Sequence, residues 1–215
     1  MAFGYPVTLE VDGRRAVVIG RTAVTQGKAE ALVEAGAHVT VISPGPRQAL
    51  ERLEGRERVT ILRRDYRPGD LEGAFVCVAS SDDPQVRAAI YAEGRWRKVL
   101  VNVMDDVPHC DFAAPALVRR GDLAIAISTG GRSPALARRL RERLSEQFDE
   151  RWGELLDLLG DVRAETLPDL PNYGERARRW QEALDVEVLL QLIGEGRRHE
   201  ARAFLLRRLL GTGAA

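Results

Sequence analysis

The stretch RAVVIG at 15–20, the helical pattern from Ala23 to Ala35 stopped by Gly36, and HVTVIS at 38–43 together decide the fold. Both β-branched runs are apolar throughout instead of alternating, the pattern of strands buried on two faces of a parallel sheet. Gly20 ends the first run, Gly36 is placed to terminate the helix, and Pro44 closes the second run. The result is a strand–helix–strand unit of the length such a crossover needs.

Working outward, the alternation continues. A helix is expected at Arg47–Leu53, a strand at VTILRR (59–64), a turn at Arg67-Pro68-Gly69 and a strand in AFVCVAS (74–80). SDDP at 81–84 reads as a helix N-cap opening a helix towards Gly94, and KVLVNVM at 98–104 is a further strand. Strand alternating with helix implies an α/β fold, a doubly wound parallel sheet. After Asp111 the character changes. LAIAIST (123–129) is one more strand, and Gly130-Gly131 leads into an Arg-rich helix that starts near Ser133-Pro134, a cap followed by proline. From Ser145 only helical periodicity appears, punctuated by Pro168, Pro171 and Gly194. These shifts divide the chain into 1–112, a short segment 113–145, and a helical domain 146–215.

The chain has 215 residues, 45% of them hydrophobic, which is enough to bury a substantial core. Lys+Arg and Asp+Glu balance at 32 each, so overall charge gives no reason to expect nucleic acid. The first residues show no basic region followed by a long apolar stretch and a small-residue cleavage site, and the apolar runs are too short to span a bilayer. A soluble, cytoplasmic protein without a membrane is expected. Cys77 and Cys110 have no CxxC neighbour, which excludes a disulfide framework.

In an open parallel sheet ligands bind beyond the carboxyl ends of the strands, where strand order reverses. Four segments end there: Gly20–Val24, Ser43–Gly45, Ala79–Asp83 and Asn102–Asp106. The first is the expected phosphate site, because a helix N-terminus offers unpaired N–H groups and the positive end of its dipole. Its sequence, Gly20-Arg21-Thr22-Ala23-Val24-Thr25, keeps a glycine only at the first position of the dinucleotide fingerprint, so an ordinary capped helix is the competing reading. Thr22 supplies a capping hydroxyl and Arg21 a charge for phosphate. No acid ends the second strand; Ser43 stands there for a ribose hydroxyl, unless Ser43-Pro44 is simply a turn. Ser81 and Asn102, at the third and fourth strand ends, complete the candidate cofactor contacts. Asp105 and Asp106 follow VLVNV directly, where a carboxylate faces the crevice and can move a proton. Two adjacent acids are expected to raise each other's pKa, and a solvated turn is the alternative.

Between Ala113 and Arg143 lie seven arginines (119, 120, 132, 138, 139, 141 and 143) against two acids, Asp122 and Glu142. Beside a Gly-Gly-to-helix turn such a cluster suits a polyanionic small molecule, or else a solvated helix face. No aromatic residues interleave the charge, which argues against nucleic acid. His109-Cys110-Asp111 has no second ligand cluster elsewhere, and no bound metal is expected.

Taken in order, YPVTLEVDGRRAVVIG, GKAEALVEAGAHVTVISP, DLEGAFVCVASSDD, LVNVMDDVPHCDFAAPALVRRGDLAIAISTGGRSPALARRLRERL and WGELLDLLG resemble the precorrin-2 dehydrogenase and sirohydrochlorin ferrochelatase family. The resemblance runs from about Tyr5 to Gly160, and ISTGGRSPALAR with VNVMDD and CDF is its most specific part. It implies a Rossmann-type domain over 1–112, a dimerisation and tetrapyrrole-binding segment over 113–145, and an intertwined homodimer. It also implies NAD-dependent oxidation of precorrin-2 to sirohydrochlorin, with ferrous iron a further substrate in members that are chelatases. By motif, the family's essential aspartate falls on Asp105. Its serine before Gly-Gly falls on Thr129, with Ser128 beside it, and its nucleotide contacts fall on Ala23, Val24, Pro44 and Gly45. Substrate carboxylates are assigned to Arg119, Arg120, Arg132 and Arg138, with Gly130 and Ser133 at the turn.

The departures are as informative. The family carries three consecutive glycines in the first loop where Arg21 and Thr22 stand here, so NAD binding is expected to be retained but weakened. Arg87 replaces an asparagine common after the DDP turn, and Ala113-Ala114 are smaller than usual. Three readings follow: a dehydrogenase; a chelatase only, with a degenerate nucleotide loop; and a non-catalytic tetrapyrrole or nucleotide carrier.

Overall fold

In the computed structural model the β-branched run at the start becomes β1 (Arg15–Ile19), buried on both faces of a sheet. The structure describes residues 5–211. The leader-free reading at Met1–Gly4 and the last four residues of the helical part lie outside them.

The chain forms two compact units, one running to Ala114 and the other starting at Pro115. In the first, β1 is followed by α1 (Ala23–Glu34), β2 (His38–Ile42), a 3₁₀ segment (Arg47–Leu53), β3 (Val59–Leu62), β4 (Val76–Ala79), α2 (Pro84–Arg97) and β5 (Leu100–Val103). All pairings are parallel, in the order β3-β2-β1-β4-β5. Residues of β1 alternate between two cores. Ala16 and Val18 pack with Ala29, Val39, Val41 and Leu53. Val17 and Ile19 pack with Cys77, Ile90, Val101 and Val103. This two-sided burial is why the strands read as unbroken apolar runs.

Local chemistry sets the element ends. Gly36, at φ +86°, follows α1, as expected of a helix stop. Asp83 caps α2, its Oδ1 accepting from the Gln85 amide at 2.8 Å, with Pro84 in the first turn. The strand expected over 59–64 stops at Leu62, since Arg64 turns away to a two-pronged pair with Asp70 at 2.8 and 2.7 Å. The helix expected over 47–53 is a 3₁₀ segment instead.

The second unit opens with β6 (Ala116–Arg120) and β7 (Leu123–Ile127), an antiparallel pair separate from the main sheet. The sequence pattern marks LAIAIST as a strand but gives no sign of β6, whose ALVRR ends in two arginines and lacks an unbroken apolar run. Gly121, at φ +56°, makes the tight turn between them. α3 (Pro134–Gln147) begins at the Ser133 cap, whose Oγ accepts from the Leu136 amide at 3.1 Å. α4 (Arg151–Thr166), α5 (Tyr173–Ala183), α6 (Val186–Gly194) and α7 (Arg198–Leu210) enclose a core of Leu155, Leu158, Val162, Leu189, Leu205 and Leu209. The hairpin turn rests directly on α4: a Cβ at Gly153 would come within 2.9 Å of the Arg120 carbonyl oxygen.

Gly94 tests the packing of α2 on β5. A Cβ there would collide with Val101 Cγ2, on a stiff, fully buried side chain. Alanine at a helical glycine normally gains up to about 1 kcal/mol in propensity, but overpacking a core costs about 1–3 kcal/mol. Gly94→Ala is therefore expected to lower the midpoint of thermal unfolding, as read by circular dichroism.

Candidate functional site

Because the strands are parallel, their carboxyl ends share one edge, and chain order diverges there between β1 and β4. A cleft of about 400 Å³ lies at this edge, lined by Gly20, Arg21 and Thr22 after β1, Pro44 after β2, Asp65 and Tyr66 after β3, and Ser80–Asp83 after β4.

The β1–α1 loop has the backbone of a phosphate site. A Cβ on Gly20 would collide with Thr25 Oγ1, so only glycine lets the chain turn this closely over α1. Thr25 is fully buried, and among the described residues its Oγ1 has no hydrogen-bond partner. Thr22 precedes α1 without making a side-chain cap, which leaves first-turn N–H groups without a side-chain partner. These features fit a nucleotide phosphate. Arg21 turns to Asp65, with Nη2 donating to Oδ1 at 2.7 Å, both side chains largely exposed. Its backbone lies against Gly45, where a Cβ would come 2.8 Å from the Arg21 carbonyl oxygen.

Of the candidate cofactor residues, Gly20, Arg21, Thr22, Pro44 and Ser81 are thus brought together in one cleft. Ala23 and Val24 form the exposed first turn of α1, and Gly45 sits beneath Arg21. Ser43 and Asn102 do not line the cleft. Ser43 is fully buried, and its Oγ accepts from the Gly45 amide at 3.2 Å. Asn102 is 8% exposed, and its Nδ2 donates to the Phe112 carbonyl at 2.8 Å, folding the segment after β5 back onto that strand. Asp65 and Tyr66 escape the sequence reading, although the strand-end rule that selects four segments applies equally to the end of β3. The Tyr66 hydroxyl donates to Glu93 Oε2 at 2.5 Å, and burial followed by that carboxylate raises its pKa.

Beyond β5 the two adjacent acids differ. Asp105 is exposed, in the left-handed region at φ +61°, and among the described residues no side chain pairs with its carboxylate. Asp106 is held on both sides: His109 Nδ1 lies 2.9 Å from Oδ2, and Arg87 Nε donates to the same oxygen at 2.7 Å. The expectation that the pair raise each other's pKa is corrected for Asp106. The His109 hydrogen bond, then Arg87, holds its carboxyl below the usual carboxylate range. Cys110 and Asp111, the other members of the His109-Cys110-Asp111 run, also have structural partners. Asp111 Oδ2 accepts from the Val101 amide at 3.0 Å, and Cys110 Sγ donates to the Val103 carbonyl at 3.1 Å. Among the described residues no group of three His, Cys, Asp or Glu could hold a metal ion.

In the second unit the Gly-Gly turn is closed by Thr129, whose Oγ1 donates to the Ser133 carbonyl and accepts from its amide at 3.1 and 3.2 Å. Ser128 Oγ accepts from the Gly130 amide, and Gly130 and Gly131 take φ +62° and +76°. The arginines divide. Arg120 donates to the Ser145 carbonyl and hydroxyl at 3.0 and 2.9 Å, and Arg138 pairs with Glu142 on the same helix. The side chains of Arg119, Arg132, Arg139, Arg141 and Arg143 are exposed and make no ion pair among the described residues.

An open parallel sheet with a cleft at its switch point, bordered by an uncapped helix N-terminus, defines a dinucleotide-binding α/β protein. A family model described as "Putative NAD(P)-binding" matches residues 7–116, and one described as "Sirohaem biosynthesis protein central" matches residues 120–147. The chain belongs to this NAD(P)-binding family. It is similar to the siroheme synthase of a Psychrobacter species, 32% identical over 97% of this chain and 42% of that protein. The siroheme synthase of Photobacterium profundum is 29% identical over 94% of the chain and 43% of that protein. The chain thus spans about two-fifths of the length of these curated relatives. A solved structure, SirC, precorrin-2 dehydrogenase, aligns with a TM-score of 0.66 and 25% identity, covering 95% of this chain and 98% of that one.

The Arg21–Asp65 pair gives the altered loop a specific test. An exposed ion pair is worth about 0–1 kcal/mol, whereas a charge-assisted bond to phosphate is worth about 1.5–3 kcal/mol. If Arg21 contacts a bound pyrophosphate, exchanging Asp65 for it is expected to be a net gain. Calorimetry is expected to show tighter NAD binding in Asp65→Asn and weakening by about tenfold in Arg21→Gly/Thr22→Gly. Tighter binding in the double glycine variant would mean that Arg21 and Thr22 only crowd the site.

Proposed function

We propose that the chain oxidises precorrin-2 to sirohydrochlorin with NAD, within siroheme biosynthesis. The observation that carries this reading is the match to a precorrin-2 dehydrogenase over nearly the whole of both chains. It is supported by a nucleotide-fitting cleft and by an unpaired carboxylate on the next strand-end turn.

In this reading Gly20, Arg21, Thr22 and the first turn of α1 hold the pyrophosphate, with Pro44 and Ser81 bordering the dinucleotide. A dinucleotide held by these residues would supply the hydride acceptor. Asp105 takes the proton released as the new double bond forms and returns it to solvent, a role that its exposure and lack of a partner allow. The uncommitted arginines 119, 132, 139, 141 and 143 supply charge for the substrate's carboxylates, while Arg120 and Arg138 have partners inside their own unit. Thr129, Ser128, Gly130 and Ser133 shape the turn that presents Arg132. A cytoplasmic location belongs to the same proposal, supported by two thiols that stay unpaired, Cys77 and Cys110.

A second reading, insertion of ferrous iron by the same Asp105 acting on pyrrole protons, is favoured by the loop departure at Arg21 and Thr22. Iron is then substrate, not a resident group.

A homodimer completes the proposal. α3 buries none of its residues and leaves Leu136 and Leu140 exposed, as is Leu117 of β6. An apolar surface of this kind fits a second copy. Light scattering at micromolar concentration is expected to give twice the monomer mass, and a monomeric mass would remove this element.

Asp105→Asn isolates the chemistry. Asparagine tolerates the left-handed backbone as aspartate does, so the turn persists while the proton acceptor is lost. Anaerobic turnover of precorrin-2 with NAD is expected to fall by about 10²–10⁴-fold, with NAD affinity by calorimetry unchanged. Full turnover in this variant would take Asp105 out of the mechanism, and loss of NAD-dependent turnover in the parent with iron insertion retained would select the chelatase.

A further inference from the structure

We infer that Arg87 is a positioning residue, one that fastens the turn carrying Asp105 to the lip of the nucleotide cleft; the inference rests on the dehydrogenase reading. Arg87 sits in the first turns of α2, and its guanidinium holds two strand-end loops at once. Nε donates to Asp106 at 2.7 Å, and Nη1 donates to the carbonyls of Ser81 and Asp82 at 2.9 and 3.2 Å. Ser81 and Asp82 line the cleft.

The other end of the clasp is built just as closely. Asp106 closes the turn after β5, its amide donating to the Val103 carbonyl at 3.2 Å with Asp105 at positive φ inside it. Its carboxylate also holds His109, whose ring meets Tyr91 of α2 edge to face at 5.3 Å between centroids. The Arg87 and Asp106 side chains are only 24% and 16% exposed, so solvent screens the pair less than the Arg21–Asp65 bridge. Asp106 supplies the anchor and leaves its neighbour Asp105 free. A planar fork suits this arrangement because one guanidinium serves a carboxylate and two carbonyls together, which a lysine ammonium cannot reproduce.

Such a link matters because hydride and proton leave the same substrate for acceptors on different loops. A displacement of about 1 Å in a reacting group can cost 10²-fold in rate. The test compares Arg87→Asn, Arg87→Lys, Asp106→Ala and the Arg87→Asn/Asp106→Ala pair in the full chain. Arg87→Asn is expected to lower kcat by about tenfold or more, with KM for NAD changed less than kcat. Arg87→Lys should recover part of the loss, and the double change should cost little more than either single one. Amide hydrogen exchange gives a readout independent of turnover. NAD is expected to slow exchange over Met104–His109 in the parent, and Arg87→Asn to abolish that slowing. Unchanged kcat and unchanged NAD-dependent protection in Arg87→Asn would overturn the inference. If the parent fails to oxidise precorrin-2 the dehydrogenase reading falls by itself. The exchange measurement then still decides the clasp: Arg87-dependent protection supports it, and its absence overturns it.

Discussion

The pairing of β1 with β4, both buried on two faces and apolar throughout, is the constraint on which the rest of the first unit depends. Neither strand carries a charged or hydroxyl side chain between Ala16 and Ile19 or between Val76 and Ala79, and the Cys77 thiol of β4 is fully buried, so the strands themselves offer no accessible acid–base group. Polar groups must gather where the strands end. The divergence of chain order at this pair opens a gap there, and the loops after β1 and β4 become its walls. Stability and chemistry are thereby separated within a few residues: Ile19 packs in the core, while Gly20 opens the loop that borders the cleft.

The turn after β5 shows the same economy over a shorter distance. Asp105 and Asp106 are chemically identical and adjacent, yet among the described residues one is exposed and without a side-chain partner while the other is held by an arginine and a histidine. Removing a partner from a half-buried carboxylate leaves a charge poorly solvated, so Asp106 is suited to anchoring and unsuited to exchanging protons with a substrate. Asp105 has the opposite properties. The αL conformation that turns it out costs little for aspartate, which visits that region more readily than most residues.

The first unit was legible because its signals are local. β-branched runs, Gly36, Pro44 and the SDDP cap each act within a few residues of the feature they set, and they determine the strand–helix order. The cleft was only half legible. Gly20, Arg21, Thr22, Pro44 and Ser81 follow from the strand-end rule, but whether a polar side chain at a strand end faces ligand or protein depends on the path of the chain beyond it. Ser43 is engaged by Gly45, and Asn102 by Phe112, ten residues away. The Arg87–Asp106 clasp spans nineteen residues and leaves no periodic trace. β6 is hidden for a different reason: a hairpin outside the main sheet needs no unbroken apolar run.

The arginine-rich helix raises a question of stability that charge alone does not answer. An isolated helix of the length of α3 is marginal in water, and α3, with contacts to β6 and β7, buries none of its residues. Four of its fourteen residues are arginines and two are glutamates, and among the described residues Arg138–Glu142 is the ion pair within the helix that offsets their mutual repulsion. The Ser133 cap and Pro134 favour the first turn, but they do not cover Leu136 and Leu140. Further stabilisation is available from agents that cover the leucines and carry negative charge to the arginines. In the proposed assembly these are separate agents: the second copy covers the leucines, and a polycarboxylate substrate neutralises the arginines. A surface that needs both gains affinity for substrate when the dimer forms, since each contact reduces the ordering left for the other to oppose.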